Sequence, residues 1–387
     1  MLLVIMLKMI SIYKERRALL KAWLPAILLV ALYLSEAYFK ILDFSKLHQT
    51  NLLKIFKAVL LFLLIIGILR RNYKALFLPV LLFIMFSIGQ MTLGDLNFNI
   101  VIYISKYFYL LVFLIFTSLY SFTNKQKYYL FSTFEILILI NSILIFIGFL
   151  FKIFIFKTYS GDRFGFNGLF ITSATSSYVY AISIIYFYNK YKKKFFIKIT
   201  NYILLLSAIL IGTKSIHLFI IFFFLFYILK HLKVKKYFFF FISVILLFVV
   251  FYFFFYVFLN FNSIKNETSF LTSILSYRDI LFTERTIPFI KENWKFSNFL
   301  FGGVNNLNIK SQMDFIDLFC FFGLFGGFLY LYLLIKYFFT FKLSVSLYFF
   351  FILLFFNIFF SGNFFTYPSI AVYLIVLQQF LIKIQNH

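Results

Sequence analysis

Apolar residues in this chain neither alternate nor recur every third or fourth position. They come in solid blocks of about 17–23 residues, the length that crosses about 30 Å of hydrocarbon as an α-helix. The blocks fall at roughly 19–39, 52–69, 75–93, 100–122, 129–151, 169–188, 196–212, 215–230, 237–259, 312–335, 343–360 and 365–384. This pattern predicts an all-α integral membrane protein of about 12 transmembrane helices, one polytopic domain over 1–387. A transmembrane β-barrel would need short segments of strict alternation, and the sequence has none.

Composition agrees with the pattern. The chain is 64% hydrophobic with a mean hydropathy of +0.99, above the usual level of soluble domains. Its Phe, Ile, Lys, Asn and Tyr content fits an AT-rich genome as well as any physical demand. A net charge of +25 raises the possibility of nucleic acid. The positions of the lysines exclude it, because they cluster between apolar blocks as topology signals do.

Basic residues occupy alternate connections: Lys14, Arg16 and Arg17; Arg70, Arg71 and Lys74; Lys125 and Lys127; Lys190 to Lys198; Lys230 to Lys236; Lys336 and Lys342; and Lys383. Nearly all acidic residues fall on the other side, including Glu36, Asp43, Asp95, Asp162, Glu267, Asp279, Glu284, Glu292, Asp314 and Asp317. Both termini are therefore expected in the cytoplasm. The N-terminus is apolar first and basic afterwards, the reverse of a secretory signal peptide, so no cleavage is expected. The single cysteine, Cys320, allows no intramolecular disulfide.

Two external connections stand out. Residues 152–168 end in "DRFGFNG" and lead into the small, hydroxylated "TSATSS". Residues 260–311 form one long hydrophilic loop, well beyond ordinary loop length. Within it, "SYRDILFTERTIPFIKENW" mixes Ile280, Leu281, Ile287 and Ile290 with charges, as a helix lying on a surface would. Pro288 is expected to kink or end that helix.

Charges near membrane depth cost about 2.5–3.5 kcal/mol on insertion scales and so are functional candidates. Arg163 either grips an anion or pairs with Asp162. Arg278 and Arg285, seven apart, share a face of a regular helix. They could fork onto a diphosphate, or pair with Asp279 and Glu284. Asp314 and Asp317, three apart, also share a face. One is accounted for by the helix dipole, and a second suits proton handling. Gly323, Gly326 and Gly327 follow and permit close helix approach. Lys214 and His217 sit at the tip of a tight helical hairpin, while Lys54, Lys57 and Lys106 are expected to snorkel outward. Scattered histidines (His48, His217, His231, His387) give no metal site. No nucleotide-binding motif is present, so any chemistry must use an already activated substrate and no cofactor.

Taken in order, "DRFGFNG", "SAILIGTKS", "YRDILFTERT" with "FLFGGVNN", and "QMDFIDLFCFFGLFGG" resemble the Wzy-type O-antigen and polysaccharide polymerases of bacterial inner membranes. The resemblance implies many membrane helices around an external cavity, related to integral-membrane glycosyltransferases. It implies glycosyl transfer from undecaprenyl diphosphate to a new lipid-linked repeat unit at the periplasmic face. The chain-length regulator and flippase of the same pathway would be its partners. Functional arginines would map to Arg163 and to Arg278 or Arg285, with Asp314 or Asp317 as base. Asn167, Lys214, His217, Gly302 and Gly303 would be substrate contacts. The chain departs from the Arg-x10-Gly spacing of some members, with Ala174, Phe289 and Phe296 at the glycine positions, and has Lys214 where many relatives have Arg. An O-antigen ligase would carry a histidine in its long external loop, and 260–311 has none. A flippase or transporter would have short external loops and more symmetrical halves.

Overall fold

The computed structural model describes residues 2–45, 52–94, 98–159, 163–231 and 259–385. Over these the chain is nearly all helical. In order come α1 (Leu2–Phe44), α2 (Leu52–Asn72), α3 (Phe77–Met91), α4 (Phe98–Leu119), α5 (Asn124–Leu150), α6 (Ser173–Tyr191), α7 (Ile199–Leu210) and α8 (Lys214–His231). Five short helices follow: α9 (Leu259–Glu267), α10 (Phe270–Leu275), α11 (Arg278–Leu281), α12 (Ile287–Asn293) and α13 (Phe296–Phe301). The chain closes with α14 (Asp314–Phe338), α15 (Val345–Ser361) and α16 (Pro368–Gln385).

Seven helical stretches among the described residues are long and apolar enough to cross a membrane: Leu19–Phe44, Ile55–Met91, Asn99–Leu119, Asn124–Leu150, Lys214–His231, Asp314–Phe338 and Pro368–Gln385. Two more, Ile199–Leu210 and Val345–Ser361, are apolar but shorter. These are the segments of a multi-pass membrane protein. The block at 237–259 lies almost wholly outside the described residues, as do Asp95, Asp162, His48 and His387.

Helix α6 is not among the seven, and its surroundings explain why. Every residue of 175–188 is buried. A helix enclosed by protein needs no continuous apolar surface, so α6 can carry serines and tyrosines that a lipid-facing helix could not. It packs on α16, where 368–381 are buried throughout. Helices α1, α4 and α5 pack on α16, and α7, α8 and α15 on α6.

The bundle has two distinct ends. At one, Lys190 Nζ meets Glu135 at 2.5 Å, Tyr227 donates to the Lys193 carbonyl at 2.8 Å, and the Lys342 N–H donates to Gln385 Oε1 at 2.7 Å. At the other end lie the first turns of α6, α8, α14 and α16, the last turn of α15, and the short helices between α9 and α13. Among the described residues, the basic connections at Lys125 and Lys127, at Lys190 to Lys198, at Lys342 and at Lys383 gather at the first end.

Several sequence expectations change here. Lys57 does not snorkel outward. It reaches 4.0 Å from Glu36, which is buried within α1. Helix α1 runs on to Phe44, past the expected end near 39. Pro288 does not end the helix: Arg278–Leu281, a π-helical turn at Phe282–Thr286 and Ile287–Asn293 follow one another with helical backbone at the joins, and the proline sits just after the wider turn. Gly323 leaves helical geometry, with φ 63° and ψ −168°. The close approach it allows is by loop backbone: a Cβ there would lie 2.4 Å from Gly302 N and Phe301 N.

Candidate functional site

A cavity of about 580 Å³ opens at the end of the bundle away from the lysine clusters. Segments far apart in sequence wall it. The 152–168 connection gives Tyr159 and Arg163. The start of α6 gives Thr172, Ser173 and Ser177. The α7–α8 turn gives Thr213 and Lys214. The α10–α11 region gives Ser276 and Arg278, and the ends of α14, α15 and α16 give Gln312, Asn357, Ser361 and Tyr367. Phe270, Phe356 and Phe360 add an apolar wall.

Arg163, Lys214 and Arg278 are the cations of this wall, and no carboxylate stands among its described lining residues. Arg278 is fixed by three carbonyl acceptors: Nε donates to Gln312 at 3.1 Å, Nη1 to Leu275 at 3.1 Å, and Nη2 to Ser361 at 3.0 Å. A guanidinium has five N–H donors, so this anchoring still leaves donors for a ligand. Burial draws its pKa below the ordinary arginine range, and Tyr178 and Tyr159 oppose this. Lys214 donates to the Ser273 carbonyl and, at 3.0 Å, to Ser276 Oγ. Arg163 lies over the Tyr159 ring at 3.9 Å, a cation–π placement. Its sequence partner Asp162 is outside the described residues.

Two helix N-termini also reach the cavity. Thr172 caps α6 and accepts from the Thr175 N–H at 3.1 Å, while its neighbour Ser173 lines the wall. Helix α8 begins at Lys214, on a turn made by Gly212 in the left-handed region at φ 73°. A side chain at Gly212 would run into the Phe164 carbonyl at 2.4 Å. Helix N-termini carry partial positive charge and spare N–H groups, and so favour anions. Thr213 Oγ1 and Ser177 Oγ stand 2.6 Å apart and join the two helices.

The loop that carries Arg163 is held from below. Lys40, nine-tenths buried in α1, donates to Asn167 Oδ1 and to the Gly168 carbonyl at 2.6 Å. Asn141 takes the Leu169 N–H at 2.9 Å and donates to the Asn167 carbonyl at 3.3 Å. From the side, the Phe166 N–H donates to the Leu210 carbonyl at 2.7 Å, and Thr158 Oγ1 to that of Ile211 at 3.0 Å. Lys157 and Phe166 form an isolated antiparallel bridge.

The candidates read from sequence thus separate. Arg163, Arg278 and Lys214 come together at the cavity. Arg285 is exposed and does not line it. A π-helical turn, Phe282–Thr286, replaces the regular helix between the two arginines. Its wider turn removes the shared face that a spacing of seven would give. Asp314 and Asp317 are both buried but bond in different directions. Asp314 Oδ2 accepts the Phe364 N–H at 2.6 Å, and Asp317 Oδ1 accepts the Ser311 N–H at 2.8 Å and hydroxyl at 3.0 Å. Neither lines the cavity. Asn167 is buried in the loop's support. His217 Nδ1 is 2.6 Å from the Thr213 carbonyl, off the wall. Gly302 and Gly303 pack against Gly89 and the Gly323 kink. The spacing rules had passed over Tyr159, Tyr367, Gln312, Asn357 and Lys40, which carry no motif of their own.

Lys310, beside the acidic start of α14, donates to Tyr103 Oη at 2.7 Å. Burial brings its pKa down to about 8, with Asp317 pulling the other way. Among the described residues no cluster of His, Cys, Asp or Glu could hold a metal. Searches of protein-family models, of curated proteins and of solved structures find no match to this chain.

Proposed function

We propose that this protein is a membrane glycosyltransferase that polymerises undecaprenyl-diphosphate-linked oligosaccharide repeat units into a surface polysaccharide. In this reading it is a twelve-span protein of a bacterial inner membrane, with both termini cytoplasmic and the cavity and the 260–311 loop on the periplasmic face. The observation that carries it is the convergence of Arg163, Lys214 and Arg278 on one cavity that has two helix N-termini, a hydroxyl- and amide-rich wall, and an apolar side. Cations and helix N-termini suit a diphosphate. Serine, threonine, asparagine and tyrosine suit sugar hydroxyls, and phenylalanines suit the first part of a lipid chain.

The reaction then runs as a substitution at the anomeric carbon of the donor glycan. The acceptor hydroxyl oxygen forms the new glycosidic bond, and the bond to the lipid diphosphate breaks. The electron pair leaves with the diphosphate, where negative charge grows as the bond lengthens. Arg278, held rigid by three carbonyls, and Arg163 and Lys214 around it stabilise that charge without having to reorganise, a large catalytic term in such sites. The hydroxyl proton passes to the departing diphosphate oxygen. Asp314 does not line the cavity and has one oxygen committed to the Phe364 N–H, and this step does not require it.

The test is reconstitution of the full chain in lipid vesicles with a lipid-diphosphate-linked oligosaccharide. A ladder of products longer than one repeat supports the reading. Unchanged substrate from well-folded protein sinks it. Substrate that crosses the bilayer without being extended would instead assign a flippase.

A further inference from the structure

Arg278 owes its direction to two carbonyls from separate parts of the chain. Nη1 bonds Leu275, on the same short stretch, and that contact moves with the arginine. Nε bonds Gln312, just ahead of α14, and Nη2 bonds Ser361, at the end of α15. A guanidinium has one N–H on Nε and two on each terminal nitrogen. One N–H is therefore left on each terminal nitrogen for a ligand. Where those two point depends on how the Gln312 and Ser361 carbonyls are held relative to each other.

Contacts between the two segments set that relation. Asp314 follows Gln312 closely, and its Oδ2 accepts the N–H of Phe364, just past Ser361, at 2.6 Å. Asp314 is 1% exposed, so water does not compete for this bond. Gly362 lies flat against the other segment, and a Cβ there would run into the Gln312 carbonyl. From α6, Tyr178 Oη donates to the Gly362 carbonyl at 3.1 Å. Asp314 also acts electrostatically on Arg278. The two roles, holding the turn and supplying a charge, predict opposite results when the carboxylate is removed.

Resting on the polymerase reading, we infer that Asp314 is a positioning residue for Arg278. Its bond to the Phe364 N–H locks the 361–364 turn to the start of α14, and so sets the two carbonyls that aim the guanidinium at the diphosphate. Asp314 does not line the cavity and takes no part in the bond changes. Without it the turn drifts, and Arg278 keeps its charge but loses its aim. If Asp314 acted on Arg278 only as a charge, removing it would instead tighten anion binding.

The experiment uses the full chain in lipid nanodiscs, with a short-chain polyprenyl diphosphate as the binding probe. Binding is measured by thermophoresis, and extension of lipid-linked repeat units separately by product ladder. Asp314→Ala is expected to weaken probe binding about tenfold, the scale for losing a partner that orients a binding group. It should cut extension about 100-fold, as a displacement of about 1 Å can. Asp314→Asn keeps an acceptor for the Phe364 N–H and should bind and extend close to wild type. In an Arg278→Ala background, Asp314→Ala should cost nothing further; in an Arg163→Ala background it should cost its full factor. A general loss of fold would cost the same in both. Should Asp314→Ala fail to accumulate, Tyr178→Phe frees the same turn at Gly362 and repeats the cycle with the same expectation.

Tighter binding on removal of Asp314, or equal costs in the two backgrounds, overturns the inference. So does extension lost equally in Asp314→Asn and Asp314→Ala with binding intact, which would make Asp314 a base. The expected coupling in binding without any ladder keeps the positioning role and sinks the polymerase reading. A wild-type protein that does not bind the probe overturns both.

Discussion

Lys40 Nζ donates to the carbonyl oxygen of Gly168 at 2.6 Å, across 128 positions of sequence. This bond, with its companion to Asn167 Oδ1, ties the first long helix to the loop that brings Arg163 to the cavity. Lys40→Met should leave the Gly168 carbonyl and Asn167 Oδ1 buried without that donor, at about 1–3 kcal/mol per group. The expected outcome is a lower unfolding midpoint and faster proteolysis within 152–168. Lys40→Arg, which keeps a donor, should recover part of both. A Lys40→Met protein with wild-type loop protection would show that the loop does not depend on this bond.

The arginines separate by position, so their substitutions should separate by effect. Arg163→Ala and Arg278→Ala each remove a cation from the cavity and should reduce repeat-unit extension by about 100-fold or more, the scale of losing one preorganised donor. The protein should remain inserted and expressed. Arg285→Ala changes an exposed residue on a π-helical turn and should leave extension within about twofold. Quantified glycan ladders at matched expression distinguish these. A loss for Arg285→Ala equal to that for Arg163→Ala would contradict the assignment.

The kink at Gly323 should be intolerant of any side chain. A Cβ there would meet Gly302 N, Leu300 C and Phe301 N at 2.4 Å, on backbone with φ 63°. Backbone atoms cannot swing aside as side chains do, and left-handed geometry adds strain of about 1–3 kcal/mol. Gly323→Ala is expected to lower the thermal midpoint by many degrees or prevent accumulation. Gly327→Ala, four residues on with nothing within 4 Å of its Cβ position, should be neutral. Fluorescence-detected size-exclusion melts of the two variants make the comparison. A Gly323→Ala protein as stable as Gly327→Ala would refute the close approach.

Lys57 comes within 4.0 Å of Glu36, with Glu36 2% and Lys57 21% exposed. Removing one partner strands a buried charge, and the usual penalty is about 3–5 kcal/mol. Lys57→Met should therefore destabilise strongly, and Glu36→Gln in the same chain should restore much of the loss. A double-mutant cycle of unfolding midpoints tests this. Additive effects would mean that the two residues do not interact.

Much of this molecule follows from the one-dimensional pattern. Solid apolar blocks must become helices, since no other open structure satisfies backbone polar groups within hydrocarbon. The clusters at Lys190 to Lys198 and at Lys230, and the charges at Lys336 and Lys342, mark one end of those helices. The small hydroxylated stretch after "DRFGFNG" was also legible, and Thr172, Ser173, Ala174 and Ser177 do line the cavity.

Tertiary structure decided the rest, because each decision depended on a partner distant in sequence. Helical spacing put Arg285 beside Arg278, and a single π-helical turn separated them. Spacing set Asp314 and Asp317 side by side, and the fold buries both but gives one to the Phe364 N–H and the other to Ser311. Lys57 found Glu36 rather than the membrane surface, since a buried carboxylate attracts the nearest flexible ammonium. Lys40 had no local signature at all: its role comes from a carbonyl that the chain brings back beneath the loop. Periodicity reports which surface a residue faces, whereas a site is made by what stands opposite.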